Sequence, residues 1–180
     1  MPAADDLLWT QQLISNLERF GSEAADALRY IQKRGTRVSV HDQPTAARWT
    51  ADRRIEIHPR YAQLAPDDPY ALSLIVHEVR HLQQGPLTAL SIYGELEAWQ
   101  LQFGLLKTWT GHYRTDVSKE DVLQHVMSLH LGWDRAMLEE ARRLMQVYAG
   151  RQYRVDLLPL YPLPAEVFYR LFGKVPARNC

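Results

Sequence analysis

Apolar and polar positions change from a helical to an alternating pattern within the first third of the chain. Up to residue 31, apolar residues recur every three or four positions, and Gly21 divides them into two predicted helices. From residue 36 the period becomes two. The segments 36–41 and 47–58 alternate apolar and polar residues, most clearly in the sequence RIEIH at 54–58. Two strands in this order predict a hairpin or a small antiparallel sheet.

The segment 70–83 is apolar on most of its helical circumference, which is typical of a buried helix. A Gly-Pro pair at 85–86 stops this helix, and Asp67 or Asp68 can cap its first turn. Three prolines exclude a regular element at 157–164. Further helices are predicted at 88–107, 133–149 and 165–172. Ser118 and Asp121 form a capping pair, which predicts one more helix that begins at Ser118. The order of helices, strands and helices predicts an α+β fold dominated by helix.

The length of 180 residues suits one domain, and 46% hydrophobic residues are enough to fill its core. We therefore expect a single domain over 1–180. Its parts are a core at 36–107, N-terminal helices at 1–35 and a C-terminal helical extension at 112–180.

Charge and cysteine content narrow the classes of protein. The 21 basic and 21 acidic residues balance, which argues against a nucleic-acid partner and against a polybasic membrane anchor. No apolar run reaches the roughly 18 residues that a transmembrane helix needs, and the acidic N-terminus differs from a secretory signal. The one cysteine, Cys180, excludes an internal disulfide. We expect a cytoplasmic protein with no nucleic-acid and no membrane partner, its oligomeric state left open.

The strongest chemical signal is the sequence HEVRH at 77–81, inside the predicted buried helix. His77 and His81 are four residues apart, so they differ by about 40° around the helix and by about 6 Å along it, and both rings can reach one ion. Glu78 points about 100° away, too far round to bind the ion but close enough to contact a water on it. In this H-E-x-x-H arrangement zinc lowers the pKa of that water to about 7 and the glutamate accepts its proton.

A catalytic zinc site needs a third protein ligand. The following helix offers Glu95 and Glu97, which are 14 and 16 residues after His81. These two side chains lie about 200° apart on a helix, so at most one of them faces the metal. Both faces of that helix carry apolar neighbours, and periodicity alone does not choose between them.

With these residues the sequence resembles the gluzincin metallopeptidases, in particular their minimal single-domain forms. In that group the ligand glutamate commonly stands three residues before a small alanine, as Glu95 stands before Ala98. The resemblance covers residues 36–107, and Gln84 also recurs in such sequences. Trp99 departs from the pattern, because related sequences often have Asp or Asn there to orient a zinc-bound histidine. Either a backbone carbonyl or another side chain orients the histidine here, or the site binds metal weakly.

The resemblance implies a zincin-like fold and a hydrolase that cleaves amide bonds of a peptide or protein substrate. Zn²⁺ would be held by His77, His81 and Glu95, and Glu78 would act as the general base. The strand at 54–58 would be an exposed edge on which an extended substrate pairs, or else only a charged sheet edge. In gluzincins a tyrosine or histidine steadies the oxyanion. The candidates for this role are His112, Tyr113, Tyr148, Tyr153 and Tyr161.

Two other interpretations compete with the hydrolase. In one, the chain is a zincin-fold interaction module whose metal is structural or whose pocket no longer reacts. In the other, the chain is a helical scaffold with a chance motif. Two imidazoles and a carboxylate in an apolar helix argue against the scaffold, because unpaired buried polar groups cost several kcal/mol. The proline-rich segment 157–164 is a candidate for covering the cleft.

Overall fold

The structure, a computed structural model, describes residues 4–113, 119–150 and 153–175. In chain order its regular elements are α1 (Ala4–Asn16), α2 (Ser22–Arg34), β1 (Arg37–Val40), β2 (Ala47–Trp49), β3 (Arg54–Ile57), α3 (Pro69–Gln84), α4 (Pro86–Ala89), α5 (Ile92–Thr110), α6 (Glu120–Ser128), α7 (Arg135–Ala149) and α8 (Leu163–Phe172). Short 3-10 turns lie at Leu17–Arg19, Pro59–Tyr61 and Val155–Leu157. The predicted α+β class, dominated by helix, is confirmed.

The sheet is mixed and has three strands in the order β1-β3-β2. β2 runs antiparallel to β3, whereas β1 runs parallel to it, with Arg37 opposite Arg54. The prediction of a hairpin or a small antiparallel sheet from two strands was therefore right only in part: β2 and β3 pair antiparallel, but the segment 36–41 contributes β1, which runs parallel to β3. The predicted strand 47–58 folds back on itself at Thr50, whose hydroxyl oxygen lies 2.6 Å from Asp52 Oδ1 and accepts from the Arg54 backbone N–H. These local hydrogen bonds compete with the strand ladder and favour a turn.

This topology makes β3 the central strand, so the prediction that 54–58 is an exposed edge was wrong. Ile55 and Ile57 of β3 are fully buried. β1 and β2 are the edges, and β2 is the strand that packs most extensively against α3.

The core has two hydrophobic clusters, and α3 and α5 pack against each other where the clusters meet. One cluster joins α1, α2, the sheet and the inner face of α3. The other joins α5, α6, α7 and the segment around Leu160 and Tyr161. Because α3 and α5 are buried on most sides, they carry apolar residues around nearly the whole helix. The few polar side chains on these two helices are therefore exceptions to the pattern.

Caps and close contacts set the ends of these two helices. Asp68 caps α3, because its carboxylate accepts from the backbone N–H groups of Tyr70 and Ala71 at 2.9 and 3.0 Å. The predicted helix at 88–107 is interrupted, since the Ser91 hydroxyl accepts from the Gly94 N–H and starts α5 anew. Gly94 is required there. A Cβ at this position would lie 2.2 Å from the carbonyl oxygen of Thr88.

The C-terminal helices agree with the predictions to within two residues: α7 begins at Arg135 and α8 at Leu163. The predicted capping residue Ser118 lies outside the described residues, and α6 begins at Glu120. No described helix is both long and apolar enough to cross a bilayer.

The proline-rich segment is irregular only over 158–162, because its ends belong to the 3-10 turn Val155–Leu157 and to α8, and it docks on the start of α5. The backbone N–H groups of Ile92 and Tyr93 donate to the carbonyl oxygens of Pro159 and Leu160 at 2.8 and 3.1 Å. The segment thus satisfies amide donors that a helix start leaves unpaired. No residue of 157–164 lines the cavity beside His77.

Candidate metal centre

Three donor atoms from α3 and α5 converge on one point. His77 and His81 face α5 from successive turns of α3, and Glu95 lies in the first turn of α5. The Nε2 atoms of the histidines are 3.0 Å apart. His81 Nε2 is 3.5 Å from Glu95 Oε1, and His77 Nε2 is 3.9 Å from Glu95 Oε2. Tetrahedral ligands at about 2.0–2.1 Å from zinc lie roughly 3.3–3.4 Å apart, so these donors fit one ion after shifts of about half an ångström.

The electrostatics of the three groups also fit a cation. Burial and the neighbouring His81 lower the pKa of His77 to about 3. Burial disfavours the charged forms of His81 and Glu95, but the attraction between the two charges outweighs this cost. The pKa of His81 rises to about 9 and that of Glu95 falls to about 2. In the metal-free protein a His81 imidazolium thus lies between a carboxylate and a neutral imidazole. A metal ion would bind where that proton is held.

Gln84 fixes the orientation of His81. Its Nε2 donates to the Gly94 carbonyl at 3.0 Å and to Glu97 Oε2 at 2.7 Å, so its Oε1 must face His81 Nδ1, 3.1 Å away. His81 therefore carries a proton on Nδ1 and, when neutral, has its Nε2 lone pair available to an ion shared with His77 and Glu95. Gln84 thus accepts a hydrogen bond from His81 and orients its ring, which is the role that the resemblance assigns to an acid at the position of Trp99.

Glu97 lies outside the donor cluster, where it supports Gln84. Its other carboxylate oxygen accepts from Arg80 at 2.6 Å. Of the two glutamates that periodicity left open, the structure brings Glu95 to the histidines. Within the described residues, His77, His81 and Glu95 form the group of three side chains close enough to share an ion.

Trp99 and Tyr153 hold Glu95 from the opposite side. The Tyr153 hydroxyl donates to Glu95 Oε2 at 2.5 Å and accepts from Trp99 Nε1 at 3.1 Å. Burial and the Glu95 charge raise the pKa of Tyr153 well above its usual value, so this hydroxyl keeps its proton. The indole that replaces the expected acid thus positions the tyrosine that contacts the carboxylate, a link that no sequence pattern indicated.

His77 is held less completely than His81. Its Nδ1 is buried and makes no hydrogen bond of normal geometry, although the Ala98 backbone and the Gln102 side chain lie near enough to raise its pKa slightly. Gln102 also donates weakly to the Ser73 hydroxyl at 3.4 Å.

Glu78 lies on the wall of a cavity of about 250 Å³, which His77 and Tyr153 also line. Glu78 is buried, and this burial raises the pKa of its carboxyl to about 7, while the Trp49 backbone N–H and His81 oppose the rise. A carboxyl group with this pKa both accepts and releases a proton near neutral pH. The helix points Glu78 away from the three donors and into the space beside them, as the spacing predicted.

Of the five candidates for an oxyanion donor, two reach this cavity. Tyr148 and Tyr153 line it, but the carbonyl and the ring of Tyr148 both contact Lys119 Nζ. The other three candidates are absent from its lining: His112, Tyr113 and Tyr161. The sheet edge at the cavity is β2, represented by Ala47 and the residues just before it, and not β3.

Comparison of the chain with protein-family models, with curated proteins and with solved structures gives no match. The fold and the donor cluster define the class of site: two buried histidines and one partly buried carboxylate beside a cavity.

Proposed function

We propose that the chain is a zinc-dependent hydrolase that cleaves amide bonds in peptides. The observation that carries the proposal is the convergence of His77, His81 and Glu95 within 3.9 Å of one another, with Glu78 beside them on a cavity wall. Two imidazoles and one carboxylate are a common ligand set of catalytic zinc, and three protein ligands leave a position open for the reaction.

When bound, zinc lowers the pKa of water to about 7 and polarises a carbonyl group. The chain supplies the proton transfers. Glu78 takes the proton of the attacking water and later gives it to the leaving amine, for which its pKa of about 7 is suited. Tyr153 keeps its hydroxyl proton and donates it to Glu95, so we assign it the role of steadying the Glu95 carboxylate.

β2 replaces 54–58 as the strand on which a substrate would pair. Ala46 and Thr50 hydrogen-bond toward β3, so the alternate residues Ala47 and Trp49 turn their backbone groups outward. The Ala47 carbonyl oxygen already accepts from the Thr45 hydroxyl at 2.9 Å, and the Trp49 N–H contacts Glu78. Few backbone N–H and carbonyl groups of this edge remain free. A substrate would therefore pair with β2 over only a few residues, which favours a short peptide.

Glu78→Gln tests the proposal. The amide keeps the size of the side chain but cannot accept a proton, so the variant should bind one zinc ion per chain and lose at least 100-fold in turnover of a mixed peptide library. Glu139→Gln is the control, because this exposed acid on α7 pairs with Arg135 far from the donor cluster in sequence.

The measurements are zinc content by mass spectrometry and peptide turnover with and without a chelator. Wild-type turnover that the chelator does not remove, or full activity in Glu78→Gln, would contradict the mechanism. Zinc at one per chain with no turnover of any peptide would favour the competing interpretation, an interaction module with a structural metal.

A further inference from the structure

Among the residues that the structure describes, apolar groups and two cations line the cavity beside Glu78. Tyr61, Leu74 and Phe103 are among the apolar residues that line it. Arg60 and Lys119 line the same cavity, whereas Glu78 is the one acidic residue among the described residues that line it. A neutral substrate would give these cations nothing to bind, so their presence needs a reason beyond the hydrolysis itself.

Neither cation has a carboxylate partner in the described part of the chain. The Arg60 guanidinium stacks over the Tyr61 ring, 4.7 Å from its centroid. Lys119 Nζ lies over the Tyr148 ring and donates to the Tyr148 carbonyl. Both groups are thus held against cavity walls by aromatic rings. No other described residue accepts a hydrogen bond from either side chain, which leaves N–H donors for an anion.

The cavity is also small. A volume of about 250 Å³ is below the roughly 300–1,000 Å³ of pockets that enclose whole drug-sized ligands, so it takes about one large side chain. Arg60 and Lys119 line the same cavity that this side chain would fill. A chain that ended there would place its terminal carboxylate near them.

We propose that the hydrolase acts at the C-terminal end of short peptides, with the last side chain, large and apolar, in this cavity and its carboxylate held by Arg60 and Lys119. The inference rests on the proposed function and adds the substrate class. The recognition chemistry is a carboxylate next to an apolar side chain. An Asp side chain could supply the same charge, and the test separates these two sources.

The test uses the full chain loaded with zinc and three N-acetylated peptides that differ at one end. The first ends in Phe with a free carboxylate, the second in Phe amide, and the third in Phe-Asp amide. The free acid should be cleaved with at least tenfold higher kcat/KM than Phe amide, mainly through KM, since charge-assisted hydrogen bonds carry the difference. The Phe-Asp amide should resemble Phe amide. A free acid ending in Gly should lose at least tenfold against Phe.

Arg60→Gln and Lys119→Gln should each lower the ratio of free acid to amide, and the double variant should bring it near one. Arg170→Gln is the matched control, since Arg170 pairs with Glu166 on α8 and does not line the cavity. Equal rates for acid and amide, with chelator-sensitive turnover intact, would overturn this inference and leave the hydrolase in place. A Phe-Asp amide as good as the free acid would assign the cations to an acidic side chain and overturn the terminal assignment.

A second measurement keeps the inference testable if no peptide is cleaved. Calorimetry on the zinc-loaded Glu78→Gln variant should show N-acetyl-phenylalanine binding at least tenfold more tightly than its amide, and the double cation variant should lose this preference. Absence of that preference would overturn the inference. Binding without turnover in the wild type would support the carboxylate site and contradict the hydrolase.

Discussion

Gln84→Leu removes the side chain that orients His81, and its effect on zinc binding can be worked out from three hydrogen bonds. Gln84 Oε1 faces His81 Nδ1 at 3.1 Å, and its Nε2 donates to Gly94 and Glu97 at 3.0 and 2.7 Å. Leucine has a similar size and helix propensity, so the helix itself should persist. The His81 N–H loses its acceptor, and the ring is free to rotate or to change its tautomer.

Loss of a hydrogen-bond partner behind a zinc-bound histidine typically costs 10- to 100-fold in metal affinity, or about 1.4–2.7 kcal/mol. We expect a loss in this range, measured by competition with a chromophoric chelator. Gln83→Leu is the matched control, because Gln83 is adjacent, exposed and touches Arg80 only at 3.4 Å. Its affinity should stay within twofold of wild type. Equal affinities of the two variants would refute the assignment of Gln84 as the group that orients His81.

Two further predictions concern the groups around Glu95 and His81. Tyr153→Phe leaves the Trp99 N–H and Glu95 without the buried hydroxyl between them, so the free energy of unfolding in urea should fall by about 1–3 kcal/mol. Tyr169→Phe, which loses a hydroxyl bonded to an exposed arginine, should change it by less than about 0.5 kcal/mol. Equal losses would contradict the role of Tyr153. Because the pKa of His81 is raised to about 9, a proton competes with zinc below that pH and competes no longer above it. Zinc affinity in chelator competition should therefore rise by up to about tenfold per pH unit from 7 to 9, and a plateau near pH 7 would contradict the buried ion pair.

Local patterns determined most of the helices and little of the sheet. The apolar run at 70–83 and its cap at Asp68 specify α3, because both signals lie within a few residues of one another. The break before α5 was missed, since the cap at Ser91 depends on the close approach of Gly94 to Thr88. Strand order was mispredicted because alternation of apolar and polar residues identifies a strand but carries no information about which strand pairs with it.

The sequence by itself determined that two imidazoles and Glu78 share one helix at a spacing suited to a metal, because helical periodicity fixes which residues face the same way. Only the tertiary structure decided that Glu95 and not Glu97 joins them, that Gln84 orients His81, and that Tyr153 reaches the site from beyond α7. It also brought Arg60 and Lys119 to one cavity. These choices depend on how α3 and α5 pack and on where the chain returns after α7, and contacts between residues far apart along the chain leave no periodic signal in it.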